Sequence, residues 1–276
     1  MKYETTPEHP SIQKIGFGTW RIGGASTAQA GQDRPSLAAL RSALDIGYTH
    51  FDTAEGYAAG HCEELLGSAI RESKLAREGL FITSKVSPDH LRQADVLRAC
   101  DASLRRLGMD YLDLYLIHWP NNAIPLEETF RALNQLHANG KVKHLGVSNF
   151  SLAQLQKSLS LSESGILTNQ IQYSLSERST IKNGMLPYCR ENHILVTAYS
   201  PVKLGRLADN PDLKAVAAAH ESTPYQIALA WLAQQAGVIT IPMSLDPKHQ
   251  AENFKAADIE LTEAEMHQLD RNGSSH

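Results

Sequence analysis

Cysteine is scarce. Three occur in 276 residues, Cys62, Cys100 and Cys189, widely separated and without a CxxC pair. That odd set fits a reducing cytosol better than a disulfide framework, so a cytoplasmic location is expected. Cys62, near a helix start, is read as a spectator thiol. No apolar run is long enough to span a bilayer, and the stretch after Met1 lacks the apolar core of a signal peptide. Basic residues form no block. The 26 Lys and Arg and 30 Asp and Glu are interspersed, with a formal net charge of −4. Neither nucleic acid nor an anionic membrane is therefore an expected partner. A glycine-rich phosphate loop ending in Lys-Ser/Thr, a serine nucleophile elbow and an HExxH helix are all missing. Gly16-Phe17-Gly18 follows a short strand, but Arg21 stands where a third glycine belongs and no helix starts there. The dinucleotide fingerprint is excluded. No histidine is spaced with cysteines or carboxylates as a metal ligand, and no metal is expected.

What is present is a regular alternation. The residues through Gln13 read as an arm or small hairpin, and Lys14–Trp20 as a short strand. Strands are then predicted at Tyr48–Thr53, Leu80–Lys85, Tyr111–His118, Val142–Val147, Ile166–Gln170, Ile194–Tyr199 and Val238–Pro242. Between them, helical spacing appears at Pro35–Ile46, Glu63–Arg71, Asp89–Leu107, Leu126–Ala138, Ser151–Leu159, Thr180–Asn192, Pro211–His220, Pro224–Gln235 and Pro247–Lys255. Thr262 caps a last helix with Glu265 at the capping-box position, and residues 262–276 read as terminal helix and tail. Eight strand–helix units without a break in composition predict a (β/α)8 TIM barrel, a single domain over residues 1–276.

Barrel active sites lie at the C-terminal ends of the strands. Three strand ends here deliver four ionisable side chains of four kinds. Tyr48–Thr53 ends on Asp52, with Tyr57 in the loop beyond; the next two strands end on Lys85 and His118. A phenol is a poor acid near neutrality. A lysine ammonium beside it favours phenolate, and Asp52 keeps that lysine charged. A histidine N–H orients a carbonyl oxygen. The set is a proton donor with an oxygen pocket, suited to building an alkoxide. No side chain supplies hydride, so a nicotinamide cofactor is inferred. His50 shares the parity of Asp52 and is expected to point inward, at the barrel floor.

Five stretches in order carry a resemblance: Gly47–Tyr57, Ile82–Lys85, Leu116–Pro120, Gly146–Phe150 and Ile241–Ser244. Together they resemble the ordered motifs of the aldo-keto reductases, over about Lys14 to Asn272, and are most similar to the small prokaryotic members such as diketogluconate and glyoxal reductases. The resemblance implies a monomeric barrel reducing aldehydes or ketones with NADPH. It implies Tyr57 as general acid, Asp52 and Lys85 as its tuning pair and His118 as orienter. It places Ser148, Asn149 and Gln170 on the nicotinamide carboxamide and Tyr199 on the ring face. Ser200, Val202, Leu204, Gly205 and Ser244 fall near the phosphates, and Glu252 and Asn253 near the adenine. Trp20, Tyr57 and Trp119, with Asn121 nearby, would wall the pocket for a small carbonyl substrate.

Two departures stand out. Many relatives carry Lys where this chain has Met243 and Arg where it has His249; Lys248 is the neighbouring substitute charge. NADPH is the expected cofactor, with NADH as the alternative. The loop after His118 is short and little follows the last helix, so an open, broad pocket is expected. Two rival functions differ in kind. A cofactor-binding redox-sensing subunit would turn over little, and a metal-dependent barrel hydrolase would need a ligand cluster.

Overall fold

Alternating apolar strands need covering on their outer face, and a strand joined to its parallel neighbour through a helix supplies the cover. In the computed structural model, which describes residues 2–6, 9–181, 184–202 and 207–272, seven such connections link eight strands. Tyr3–Thr6 (β1) and His9–Gln13 (β2) pair as an antiparallel hairpin. The barrel strands are Phe17–Gly18 (β3), His50–Asp52 (β4), Phe81–Val86 (β5), Leu112–Ile117 (β6), Val142–Ser148 (β7), Thr168–Gln172 (β8), Leu195–Tyr199 (β9) and Val238–Thr240 (β10). They lie side by side in chain order, all parallel. A seam between the first and last closes the ring. Gly16 N–H donates to Thr240 O at 2.8 Å, Thr240 N–H to Lys14 O at 2.8 Å and Gly18 N–H to Pro242 O at 3.0 Å.

The helices are Asp33–Ile46 (α1), His61–Ser73 (α2), Gln93–Leu107 (α3), Leu126–Ala138 (α4), Leu152–Leu161 (α5), Met185–Glu191 (α6), Pro211–Ala219 (α7), Pro224–Ala233 (α8), Pro247–Lys255 (α9) and Glu263–Asn272 (α10). Their apolar faces bury Leu40 and Leu44, Leu66 and Ile70, Leu104 and Leu107, Phe130 and Leu133 against the outside of the sheet. Each such aliphatic side chain contributes roughly 1.5–3 kcal/mol on full burial. Two predicted helices are shorter than expected. The one foreseen from Asp89 begins at Gln93, because Arg92 is extended (ψ 147°) and the Gln93 N–H donates to the Glu128 carboxylate at 3.1 Å. The one foreseen over Thr180–Asn192 is confined to α6, where Gly184 at φ 84° breaks the chain just before the first turn.

Inside the ring, side chains two apart on one strand share a face. Phe81, Leu114, Leu116, Leu167, Leu195 and Ile239, with Ile12 from the hairpin, form an apolar cluster separate from the helix-facing core. This is the floor. Along the same strand faces the chemistry changes toward the C-terminal end: Phe81 is followed by Thr83 and Lys85, Leu116 by His118, Leu195 by Thr197 and Tyr199. His50 belongs with the floor. It is buried edge-on against Phe81 at 5.3 Å, and burial holds its pKa down to about 4. Packing is tight enough that a Cβ on Gly146 would stand 2.4 Å from Leu116 Cδ2 and 2.9 Å from Thr168 O.

Candidate active site

Lys85 is fully buried and spends its three N–H donors at once. Nζ donates to Asp52 Oδ1 at 2.5 Å, Thr53 O at 2.8 Å and the Tyr57 hydroxyl at 3.2 Å. The other Asp52 oxygen accepts from Gln170 Nε2 at 2.7 Å, so both carboxylate oxygens are held. The loop after β4 delivers Tyr57 through a turn closed by Tyr57 N–H on Ala54 O at 3.1 Å and Ala58 N–H on Ala25 O at 2.7 Å. The Tyr57 ring packs edge-on against Trp20 at 5.0 Å and His118 at 5.6 Å.

These contacts set the charges. Burial alone pushes the Lys85 ammonium down; Asp52 and then Tyr57 more than reverse this, and the net shift is upward, so Lys85 stays cationic. For Tyr57, burial pushes the phenol up, Lys85 pulls it down and Asp52 pushes it up again, and the net direction is up. Lys85 lowers this phenol as expected, but burial outweighs it. Burial penalises the phenolate, and the nearby carboxylate cancels part of the ammonium's field. His118 is held down to about 3, first by burial and then by Lys85, and is a neutral imidazole near neutral pH. One of its ring nitrogens then carries a proton and the other a lone pair.

A cavity of about 550 Å³ opens at the C-terminal ends of the strands. Asp52, Tyr57, His118, Trp20, Trp119, Ser148, Asn149, Gln170, Tyr199, Ser200 and Val202 all line it. Trp20 and Trp119 are 45% and 48% exposed, which puts them on its rim. A hydrogen-bonded line runs along one wall: the Tyr199 hydroxyl donates to Asn149 Oδ1 at 2.9 Å, and Asn149 Nδ2 donates to Ser148 Oγ at 2.9 Å and His118 O at 3.1 Å. Five of the eight non-glycine residues with positive φ among the described residues, Arg21, Ala58, Ala59, Asn149 and Ser200, cluster around this mouth. Such conformations persist where surrounding contacts hold them.

Other predicted residues are not brought to the cavity wall. Asn121 does not line it; its amide is spent on Pro88 O at 2.9 Å and Ala123 N–H at 3.0 Å, which form the local turn. Ser244, Lys248, His249, Glu252 and Asn253 follow from the lining residues Ile241, Pro242 and Met243 into α9 but lie beyond the wall. Lys248 is exposed with Nζ 3.8 Å from Glu252, and His249 stands 3.9 Å from Asp246. Asp246 itself caps α9, accepting from Lys248 N–H at 2.8 Å. Leu204 and Gly205 lie outside the described residues. The residue reading missed Thr19, Arg21 and Pro201, which line the cavity as well. Their place directly beside Trp20 and Ser200 was the available signal. Among the described residues no group of three or more His, Cys, Asp or Glu is placed to hold a metal ion. Cys62 is buried; burial pushes its thiol up to about 11, and it donates to Thr19 Oγ1 at 3.1 Å.

Residues 14–273 match the sequence profile of the aldo/keto reductase family. The chain belongs to that family. It is 38% identical over 267 residues to methylglyoxal reductase YeaE of Escherichia coli, covering 95% of this chain and 91% of that one. Among solved aldo-keto reductases it is similar to the thermostable Tm1743, crystallised with the inhibitor epalrestat, with a TM-score of 0.94, 42% identity and coverage of 98% and 99%. It is also similar to a Klebsiella pneumoniae member in complex with NADPH, with a TM-score of 0.87, 39% identity and coverage of 98% and 94%. The wall of this aldo-keto reductase fits the nicotinamide end of such a cofactor. It offers the Tyr199 ring beside an amide and hydroxyl set, Ser148, Asn149 and Gln170, that can both donate and accept to a carboxamide.

Proposed function

We propose that the protein reduces small aldehydes and α-ketoaldehydes to alcohols, with NADPH ahead of NADH, and that Tyr57 delivers the proton. A reduced nicotinamide, when bound, supplies the hydride. Ser148, Asn149 and Gln170 would hold its carboxamide and Tyr199 would face its ring. Neutral His118 donates an N–H to the substrate carbonyl oxygen and orients it. The Tyr57 hydroxyl donates to the same oxygen and hands over its proton as that oxygen gains negative charge. Its raised pKa keeps the proton in place until then. Lys85, kept cationic by Asp52, stabilises the phenolate left behind.

The observation that carries this reading is the triple engagement of the buried Lys85 with Asp52, Thr53 O and Tyr57. A lysine fixed only for stability would have no reason to spend its third donor on a phenol that lines an open cavity. The YeaE and Klebsiella relatives support the choice of α-ketoaldehyde and NADPH. The three free thiols, all buried, favour a reducing cytoplasm, and a monomeric barrel is the working assembly. The test is oxidation of NADPH and NADH, in parallel, with methylglyoxal and 4-nitrobenzaldehyde, wild type beside Tyr57→Phe. Turnover by wild type and near-loss in the variant are expected. Equal turnover by both would remove Tyr57 from its role.

A further inference from the structure

Among the described residues, charges around the cavity do not cancel. Asp52 and Lys85 neutralise one another at 2.5 Å, and His118 is held neutral. Among the described lining residues one charged side chain remains, Arg21, and it has no ion-pair partner among the described residues. It is exposed and next to Trp20, so a guanidinium stands at the solvent edge of the cavity, where the other described side chains leave no net charge.

Its position is held. Arg21 adopts φ 78°, where long side chains are uncommon. The turn that carries it is fixed at both ends: Ile22 N–H donates to Thr19 O at 3.0 Å, and the Ile22 side chain is fully buried. Thr19 binds Asp52 O twice, through its N–H at 3.0 Å and its hydroxyl at 2.9 Å. The rim cation is therefore attached to the strand end that positions Asp52.

We propose that Arg21 binds a carboxylate at the far end of the carbonyl substrate, so that oxo acids and carboxylated aldehydes are the favoured substrate class. The inference rests on the reductase reading and narrows it. With the carbonyl oxygen at Tyr57 and His118, the rest of the substrate extends toward the rim, where the planar guanidinium offers paired N–H donors matched to a carboxylate. A diphosphate shares that chemistry, and the experiment separates the two.

The probes are 4-carboxybenzaldehyde and 4-nitrobenzaldehyde, similar in length and electron demand and different in charge. They are compared with wild type, Arg21→Gln and Arg21→Lys. The ratio of kcat/KM for the carboxylate over the nitro compound should fall about tenfold in R21Q, mainly through KM, for loss of one partly exposed charge-assisted contact. Arg21→Lys should restore part of it, and added salt should lower the wild-type ratio. NADP⁺ affinity, read by quenching of protein fluorescence without substrate, should be the same in all three. An unchanged ratio in R21Q overturns the proposal. So does a weakened NADP⁺ affinity with equal losses on both aldehydes, which would assign Arg21 to the cofactor diphosphate. Wild type inert toward both aldehydes would overturn the reductase reading and this one with it.

Discussion

His50 and His118 sit at opposite ends of the barrel interior, and burial pushes both imidazoles down, to about 4 and about 3. One is a packing residue. The other is ready to orient a substrate. His50 is enclosed beside Phe81, with Nδ1 lacking a partner among the described residues, in the half of the barrel filled by aliphatic side chains and covered by Ile12. His118 faces an open cavity next to a phenol and an ammonium. The lesson is that a displaced pKa does not mark a reactive group. Displacement combined with access does.

The largest expected effect belongs to the mouth alone. Tyr57→Phe removes a hydroxyl, and kcat should fall about 10²- to 10⁴-fold, the contribution usual for a general acid. The thermal midpoint should move little; a large shift in it would mean that the mouth also holds the fold together. Lys85→Met comes next and should hit both properties. It strands the buried Asp52 charge, costing about 3–5 kcal/mol, read from the urea midpoint. Adding Asp52→Asn should recover most of that stability and no activity. At the floor, Leu195→Ala should cost about 2–5 kcal/mol, with KM preserved in the folded fraction. A changed KM there would break the separation of the two ends.

Acid should test both histidines together. Each has a folded pKa below its unfolded value near 6.5. Between pH 6.5 and about 4 the unfolded chain binds protons that the native one refuses, so stability falls as pH falls and levels off below the native values. His50→Leu should remove about 2–3 kcal/mol of that acid sensitivity, measured as the urea midpoint at pH 7 against pH 4.5. It should leave the neutral-pH rate profile alone. The smallest effect concerns cofactor choice. Met243→Lys adds a cation next to the segment leading into α9, and should improve the NADPH-over-NADH affinity ratio roughly three- to tenfold.

The strand ends were legible because each apolar run stops on a polar residue of unusual type. Asp52, Lys85 and His118 announce the mouth in one dimension. The seam, the register and the site's cross-links were not. The Gln170–Asp52 bond joins residues far apart in sequence, and nothing local to either points to the other. The start of α3 was misread for the same reason, since its first N–H is satisfied by Glu128 from another helix. Arg21 was seen only as a missing glycine; its placement on the rim depends on a turn clamped to the next strand. The direction of the Tyr57 shift also needed three dimensions, because burial and the second charge of the pair decide its sign.

The seam between β3 and β10 sets a timetable for biogenesis. Gly16 finds its hydrogen-bond partner only at Thr240. The first barrel strand must therefore wait, with one edge unsatisfied, while more than two hundred further residues are made, roughly 10–45 s at common rates of synthesis. During that wait the open edge is the part of the nascent chain most exposed to pairing with a neighbour. An early-binding chaperone would be most useful to this protein there, and truncation anywhere before Thr240 should give aggregation in place of a smaller folded barrel.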